Sequence, residues 1–348
     1  MKKLLIGEIA VLVLLVAAAL FIRLNVTGPE KETEYTGTEG SSDVQVIGPG
    51  TLGTEESTQG SEETTESSLG VILPVFSDME ISAENCFVYS LEDSLLLYSK
   101  GTMDEVIYPA SITKLFTAYV ALQYLDPETV VTVGSEVNLI APDSSVAYIY
   151  SGLRLTAAQL VEGMILPSGN DAAYAIAAAA ARAESGNANM GAEAAIAHFV
   201  DMMNETAQAM GMTGSHFCNP DGYTDDDHYT CGQDLVTIAR LALENETIRT
   251  YVGTETDNVT YVSGEIMTWN NTNALLKADS PYYCADAVGM KTGFTSQAGN
   301  CLLSAFEVDG RYYVAGVFGC PEKDGRFADS LALYREVILP CAELLAAA

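Results

Sequence analysis

The segment at residues 108–114, YPASITK, is the stretch from which both the fold and the chemistry of the chain can be predicted. Pro109 and Ser111 are typical of a helix start, and the apolar residues after Lys114 recur at helical spacing. Ser111 would lie at the positive end of that helix, one turn from Lys114. A lysine on a buried helix can act as a base when burial lowers its pKa. Taken alone, the segment is also compatible with a capping serine and a surface lysine.

Two further short motifs follow in order. SGN, at residues 168–170 within ILPSGNDAA, lies after Pro167 between two helical stretches, where a hydroxyl and an amide can face a cleft. KTG, at residues 291–293 within GMKTGFTSQAGN, reads as a strand edge on which Gly293 lets a substrate backbone lie alongside. Either motif alone fits an ordinary helix stop or a surface turn. The ordered set of three favours a catalytic site.

The remaining pattern predicts an α+β domain. Residues 86–100 read as a hairpin, and a turn at Asp309 and Gly310 joins two apolar β runs within residues 300–319. A third hairpin is possible at residues 130–137, and residues 258–268 are strand-like. Thr156 and Gln159 form a capping box. Helices are predicted at residues 157–165, 171–183, 192–210, 233–245 and 327–338. The order of these elements predicts one sheet that contains strands from both ends of the domain sequence, with a helical lobe inserted between them.

The N-terminal part of the chain reads as a membrane signal followed by a spacer. Lys2 and Lys3 precede an apolar run at residues 4–22, so residues 1–27 are interpreted as an uncleaved anchor or, alternatively, a cleaved signal peptide. Residues 28–72 are rich in Glu, Ser, Thr and Gly and are predicted to be a disordered acidic linker. Residues 73–348 are predicted to form one domain. The domain would face outward, on the outer face of the cell membrane or in the cell wall.

The charge and the cysteine and histidine content exclude some classes of protein. A formal net charge of −31 disfavours nucleic-acid binding, which needs clustered cations. The seven cysteines contain no C-x-x-C and are interpreted mainly as buried hydrophobes, with Cys218 and Cys231 as one possible disulfide. A metalloenzyme is disfavoured because the histidines form no H-E-x-x-H, and the acidic run ending at His228 lacks EF-hand spacing. That run is interpreted as a solvated loop. No metal or cofactor is expected.

Five stretches resemble the D-alanyl-D-alanine carboxypeptidases, the S11 family of penicillin-binding serine peptidases: YPASITK, ILPSGNDAA, HFCNPDGYTDDDHYT, NTNALL and GMKTGFTSQAGN. The resemblance covers about residues 85–320. It implies a serine β-lactamase/penicillin-binding transpeptidase-like fold, with a five-stranded antiparallel sheet flanked by helices and an inserted all-helical lobe. It also implies removal of the terminal D-alanine from peptidoglycan stems ending in D-Ala-D-Ala, acylation by β-lactam antibiotics, and a role in cell-wall synthesis and cell shape.

The resemblance further implies a role for each motif residue. Ser111 would attack the substrate carbonyl and form an acyl-enzyme, and Lys114 would be the general base. Ser168 would relay a proton to the leaving amine. Asn170 would hold the substrate amide and the Lys114 head group.

The third motif would bind the substrate. Lys291 would supply positive charge, Thr292 would bind the terminal carboxylate, and Gly293 would admit the substrate backbone. The backbone N–H groups of Ser111 and Phe294 would form the oxyanion hole. Many relatives have His or Tyr where this chain has Phe294, so a side-chain hydrogen bond is absent there.

Two other functions are weighed against this one. A class A-like β-lactamase would carry a glutamate in an E-x-x-L-N loop between the second and third motifs, and the sequence has no such loop. A non-catalytic cell-wall-binding protein would keep the cleft but lose the nucleophile or the base. Ser111 and Lys114 are both present, which favours an enzyme.

Overall fold

The computed structural model of the protein describes residues 64–66, 72–74, 76 and 79–347. The predicted membrane segment and most of the predicted linker lie outside these residues. Near the end of the linker region, strands β1 (Thr64–Glu66) and β2 (Ile72–Pro74) pair as a short antiparallel ribbon, where the sequence predicted no regular structure up to residue 72. Within the described part of the chain, no helix has the length and apolar character needed to cross a membrane.

The central element is a five-stranded antiparallel sheet. Its strands are β3 (Asn85–Ser90), β4 (Leu95–Lys100), β9 (Ala287–Thr295), β10 (Gly299–Val308) and β11 (Arg311–Cys320), in the spatial order β4-β3-β11-β10-β9. The predicted hairpins β3–β4 and β10–β11 are confirmed, with Asp309 and Gly310 both at positive φ in the turn of the second. Among the described strands β9 pairs only with β10, so one edge of the strand that carries KTG is left open.

Both faces of the sheet are buried, because successive side chains on each strand point to opposite faces. Leu303, Ala305 and Val314 face the helical lobe. Leu302 and Phe306 belong to a second cluster with the C-terminal helical segment. The sheet therefore forms the middle layer between the lobe and the C-terminal helices.

The helical lobe is inserted between β4 and β9. Its helices are α1 (Thr113–Leu122), α2 (Ala157–Ile165), α3 (Asn170–Glu184), α4 (Ala192–Ala209), α5 (Gly232–Glu244) and α6 (Glu246–Val252). The capping box of Thr156 and Gln159 at the start of α2 is confirmed. Helix α1 packs against all five other helices of the lobe, α2 to α6, so nearly its whole surface is buried. This burial places Lys114 in the interior.

The lobe differs from the all-helical prediction in two places, although the strand-like character predicted for residues 258–268 is confirmed at both ends of that range. Strand β5 (Val130–Thr132) pairs with β6 (Arg154–Thr156), and β7 (Thr256–Thr260) pairs with β8 (Ile266–Asn270). The hairpin predicted at residues 130–137 is wrong, because a 3₁₀ turn follows β5 instead of a second strand. In that turn the buried Glu136 carboxylate accepts the Gly134 N–H at 2.7 Å and pairs with Arg182 at 3.0 Å.

The C-terminal segment is helical as predicted, but it is not one α-helix. It consists of α7 (Gly325–Leu333), a π-helical turn (Tyr334–Ile338) and α8 (Leu339–Ala346). Pro340 lacks the N–H that an α-helix would donate four residues back, which accounts for the wider turn before α8.

All seven cysteines are free thiols, and six of them are buried. The possible disulfide between Cys218 and Cys231 is not formed. The interpretation of these residues mainly as small buried hydrophobes fits their positions.

Candidate active site

The three motifs converge on one cavity of about 580 Å³ between the helical lobe and strand β9. Its lining includes residues from each motif, namely Ser111, Ser168, Asn170, Thr292, Gly293 and Phe294. Lys114 and Lys291 lie behind this lining and are almost fully buried. Residues far apart in the sequence are therefore brought together at the open edge of the sheet.

Ser111 lies in a 3₁₀ turn (Ala110–Ile112) that leads directly into α1. Within the described residues no side chain caps either the turn or α1, so the interpretation of Ser111 as a capping residue is not supported. Instead, the Ser111 hydroxyl oxygen accepts a hydrogen bond of 2.7 Å from the Lys114 Nζ. Ala110, directly before the serine, has a φ of 48°, a strained value for a residue other than glycine. The turn therefore holds the hydroxyl toward the lysine and the cavity.

The Lys114 amine is suited to accept a proton. Its side chain is fully buried, and its Nζ donates to the Ser111 hydroxyl and, at 2.9 Å, to the backbone carbonyl of Asp221. Burial lowers the pKa of Lys114 to about 8, against the opposing effect of Asp221 and Asp171. Lys114 is consequently neutral more readily near physiological pH than an exposed lysine, as a general base requires.

Ser168 and Lys291 form a second hydroxyl–amine pair. Ser168 lies between α2 and α3 with a φ of 63°, and Lys291 Nζ donates to its hydroxyl at 2.9 Å and to the Thr292 carbonyl at 3.0 Å. Burial, with repulsion from Lys114 and Arg326, holds the pKa of Lys291 well below its ordinary value. Lys291 therefore lies behind the cavity surface and contacts Ser168. Its role as a source of positive charge stays a prediction.

Asn170 lies at the first position of α3, and its side chain faces the cavity. Its Nδ2 donates to the Ser144 hydroxyl at 2.9 Å. The resemblance implied a contact of Asn170 with the Lys114 head group, but the Lys114 Nζ donates to the Ser111 hydroxyl and the Asp221 carbonyl and not to Asn170. The neighbouring Asp171 carboxylate accepts the N–H groups of Ala147 and Ile149, each at 2.8 Å, and so fixes the loop that carries Ser144.

The KTG strand lies directly against the 3₁₀ turn of the nucleophile. A Cβ on Gly293 would be 2.8 Å from the Pro109 carbonyl oxygen and 3.0 Å from the Ala110 Cβ, so only glycine allows this approach. The Thr292 hydroxyl lies at the cavity, 2.6 Å from the Thr272 hydroxyl. The Phe294 side chain is 63% exposed at the cavity mouth. These positions bring the backbone of residues 293–294 alongside Ser111.

Arg326 is a cavity residue that the sequence analysis missed. It lies on α7, is 6% exposed, and donates from Nη1 to the Gly293 carbonyl at 3.0 Å. Its buried Nε has no hydrogen-bond partner among the described residues. Lys277 and Lys323 also line the cavity. The lining therefore contains three basic side chains, together with the acidic side chains Asp143 and Asp221. No sequence motif indicated that Arg326 is part of it.

His228 is buried behind the site, where it contacts Thr113, the residue before Lys114. The sequence had predicted that the acidic run ending at His228 is a solvated loop. The residue is 2% exposed; its Nδ1 accepts the Cys218 N–H at 3.1 Å, and its Nε2 donates to the Thr113 hydroxyl at 2.8 Å. Burial lowers the pKa of His228 to about 4, so this ring is neutral. Asp225, Asp226 and Asp227 are exposed, as that prediction required.

A serine hydroxyl bonded to a buried lysine, at the open edge of a five-stranded sheet with an inserted helical lobe, is typical of a serine peptidase of the penicillin-binding fold. The family model described as D-alanyl-D-alanine carboxypeptidase matches residues 74–321. The chain therefore belongs to the D-alanyl-D-alanine carboxypeptidase family, as the sequence motifs predicted.

Individual relatives agree with this membership. The chain is 32% identical to the D-alanyl-D-alanine carboxypeptidase of Streptomyces sp. (strain K15) over 67% of its own length and 79% of the relative. It is 26% identical to the carboxypeptidase DacF of Bacillus subtilis over 70% of its own length, but it spans only 59% of that protein. The crystal structure of the Streptomyces K15 DD-transpeptidase superimposes with a TM-score of 0.67 at 29% identity, covering 75% of this chain and 98% of that one. The predicted fold class is confirmed.

The lowered pKa of Lys114 can be measured directly. In ¹³C-lysine NMR of the wild-type protein, we expect one Cε resonance with a midpoint near pH 8, whereas exposed lysines titrate near ~10.4. The resonance would be assigned by its absence in Lys114→Arg. A Lys114 midpoint above ~10 would contradict the assignment of this amine as a base.

Proposed function

We propose that the protein is a serine-type D-Ala-D-Ala carboxypeptidase that removes the terminal D-alanine from peptidoglycan pentapeptide stems. The observation that carries the proposal is the 2.7 Å hydrogen bond between the Lys114 amine and the Ser111 hydroxyl, at the base of a cavity lined by cations. The substrate ends in a carboxylate, so a cation-lined cavity next to an activated serine fits its chemistry.

Acylation follows from the positions of the two residues. The Ser111 oxygen attacks the carbonyl of the penultimate D-alanine while its proton passes to the neutral Lys114 amine. The carbonyl electron pair moves to oxygen, and the backbone N–H groups of Ser111 and Phe294 stabilise the resulting oxyanion. Because the 3₁₀ turn and strand β9 are in contact through Gly293, both donors are held in place before substrate binds.

Release of D-alanine requires a proton on its nitrogen. Ser168 is the relay, because its hydroxyl lies at the cavity surface and is bonded to Lys291. The proton taken by Lys114 returns through Ser168 to the leaving amine as the C–N bond breaks. Water then attacks the acyl-enzyme, with Lys114 again available as the base.

The terminal carboxylate would be bound by Thr292 and Arg326. The Thr292 hydroxyl faces the cavity, and the buried Arg326 Nε, beside the Gly293 carbonyl, has no partner within the described residues. An arriving carboxylate would also raise the pKa of Lys291, opposing the effect of burial, and so favour its charged form. β-Lactams, which carry a similarly placed carboxylate, would acylate Ser111 by opening of the lactam ring.

Replacement of the nucleophile tests the proposal. Ser111→Ala should lower release of D-alanine from a pentapeptide stem by at least ~10⁴-fold, since the hydroxyl that forms the acyl-enzyme is removed. Free D-alanine would be measured with a coupled oxidase assay. Ser94→Ala, a change on the β3–β4 turn far from the cavity, serves as the matched control. Wild-type rates in Ser111→Ala would refute the proposed function.

The close approach of β9 gives a second test. Gly293→Ala should push the strand away from the 3₁₀ turn and lower the second-order rate of penicillin acylation by about 10²-fold, because a displacement of about 1 Å disrupts catalytic geometry. Gly191→Ala, whose added Cβ has no neighbour within 4 Å, is the control and should acylate normally. An unchanged rate in Gly293→Ala would show that the contact does not position the site.

We also propose that the domain acts outside the cytoplasmic membrane, held there by the N-terminal segment or released after its cleavage. The basis is the sequence of residues 1–27 together with the location of peptidoglycan substrates. In intact protoplasts of the expressing cell, added protease should degrade the domain while a cytoplasmic marker survives. Protection of the domain under these conditions would refute an outward-facing location.

A further inference from the structure

Asp221 is a buried acidic residue that the mechanism above does not use. It lies in the loop between α4 and α5 and is 1% exposed. Its Oδ1 accepts the Tyr223 N–H at 3.1 Å, and its Oδ2 is buried without a hydrogen-bond partner in the described part of the protein. A buried carboxylate oxygen without a partner is costly, so a functional reason for its retention is required.

The loop holds Asp221 rigidly against the catalytic residues. Asn219 Oδ1 accepts the Gly222 N–H at 2.8 Å, and Gly222 has a φ of 79°. A Cβ on Gly222 would lie 1.8 Å from the Ala110 carbonyl oxygen, so the loop packs directly on the nucleophile's turn. The Asp221 carbonyl in turn accepts the Lys114 Nζ at 2.9 Å. Asp221 is thus fixed to the general base through its own backbone.

None of the other titratable groups around Lys114 is available as a counter-ion for its ammonium form. Asp171 already accepts three backbone N–H groups, from Ala147, Ile149 and Ala172. Lys291 on β9 can only repel an ammonium at Lys114. His228, on the far side of Thr113, is neutral. Among the described residues near Lys114, Asp221 is the carboxylate with an unused oxygen. Neither carboxylate oxygen of Asp221 lies within ion-pair distance of the Lys114 Nζ, so Asp221 would act through its charge and not through direct contact.

We propose that the Asp221 carboxylate is the counter-charge for the ammonium that Lys114 becomes when it accepts the Ser111 proton. Asp221 is then a positioning residue for acylation, acting through Lys114. The inference rests on the proposed function, because it requires that Lys114 take that proton. In this step the Ser111 O–H bond breaks, an N–H bond forms on Lys114, and the serine oxygen bonds to the substrate carbon. Asp221 exchanges no atom and contributes only its charge.

The physical reason is the cost of a charge in a buried site. An ammonium shielded from water is stabilised by a carbonyl dipole only in part, and a nearby carboxylate supplies the rest. The ionisation of the two groups is consistent with this coupling. Burial is the larger effect at both groups: it lowers the pKa of Lys114 and raises the pKa of Asp221. The charge of each group opposes the effect of burial on the other, so the pair favours the charged form of both.

The test compares Asp221→Asn with wild type and with Asp226→Asn. The control removes one negative charge from an exposed site on the same loop. Acylation by a chromogenic cephalosporin would be followed by stopped flow from about pH 5.5 to about pH 10, a range that spans the ordinary and lowered pKa of a lysine. Deacylation would be timed separately by mass spectrometry.

The acylation rate rises with pH as Lys114 loses its proton. Without the anion, the charged form of Lys114 is less stable, so its pKa falls.

For Asp221→Asn we expect the acid limb of the acylation profile to move about one unit toward lower pH. The plateau rate should fall about tenfold, because Lys114 becomes a weaker base and its ammonium lacks a counter-charge. Asp226→Asn should keep the wild-type limb and plateau. Asp221→Glu, which retains the charge, should keep the limb at its wild-type pH.

Three outcomes would overturn the inference. A rate lowered equally at every pH, with the limb in place, would mean that Asp221 only supports the loop. A change confined to deacylation would assign Asp221 to the hydrolytic water. An acid limb that moves to higher pH would contradict the sign of the effect. If Asp221→Asn loses the native circular dichroism spectrum, Asp221→Ser replaces it in the same measurement. A wild-type protein that is never acylated would refute the proposed function instead.

Discussion

The hydrogen bond between the Lys114 amine and the Ser111 hydroxyl depends on the burial of a lysine, and much of the structure provides that burial. Helix α1 is enclosed by the five other helices of the lobe, and the 3₁₀ turn that leads into it lies against strand β9. An amine in such a site cannot keep its ordinary pKa, since the charged form loses its hydration. The hydrophobic core of the lobe and the reactivity of the site are therefore two results of the same packing.

Two glycines allow the segments around this pair to approach one another. Gly293 brings the KTG strand against residues 109–111, and Gly222 brings the Asp221 loop against Ala110 from another side. The 3₁₀ turn is consequently held between a strand and a loop. Its strained φ at Ala110 is maintained by these contacts, which is typical of a site organised before substrate arrives. The open edge of β9 leaves room for the substrate backbone.

The sequence predicted those parts that depend on local pattern or on the order of short motifs. Hairpins β3–β4 and β10–β11, the capping box at Thr156 and the three site motifs all carry strong local signals. Arg326 and Asp221 carry none, because their position at the cavity depends on packing between distant segments. The pairing of β5 with β6 was missed for the same reason, since a long stretch of chain separates the two strands. The contact of Lys114 with the Asp221 carbonyl involves a backbone atom, which no side-chain motif can reveal.

The central claim is that Ser111 is the residue that forms the acyl-enzyme, with Lys114 as its base. Peptide mapping by mass spectrometry after incubation with benzylpenicillin tests this claim most directly, because it reports both the chemistry and the modified residue. We predict one penicilloyl adduct per chain, on the peptide that contains Ser111, and none in Lys114→Ala at the same incubation time. An adduct on another residue, or an unmodified chain under conditions in which the protein is folded, would contradict the claim.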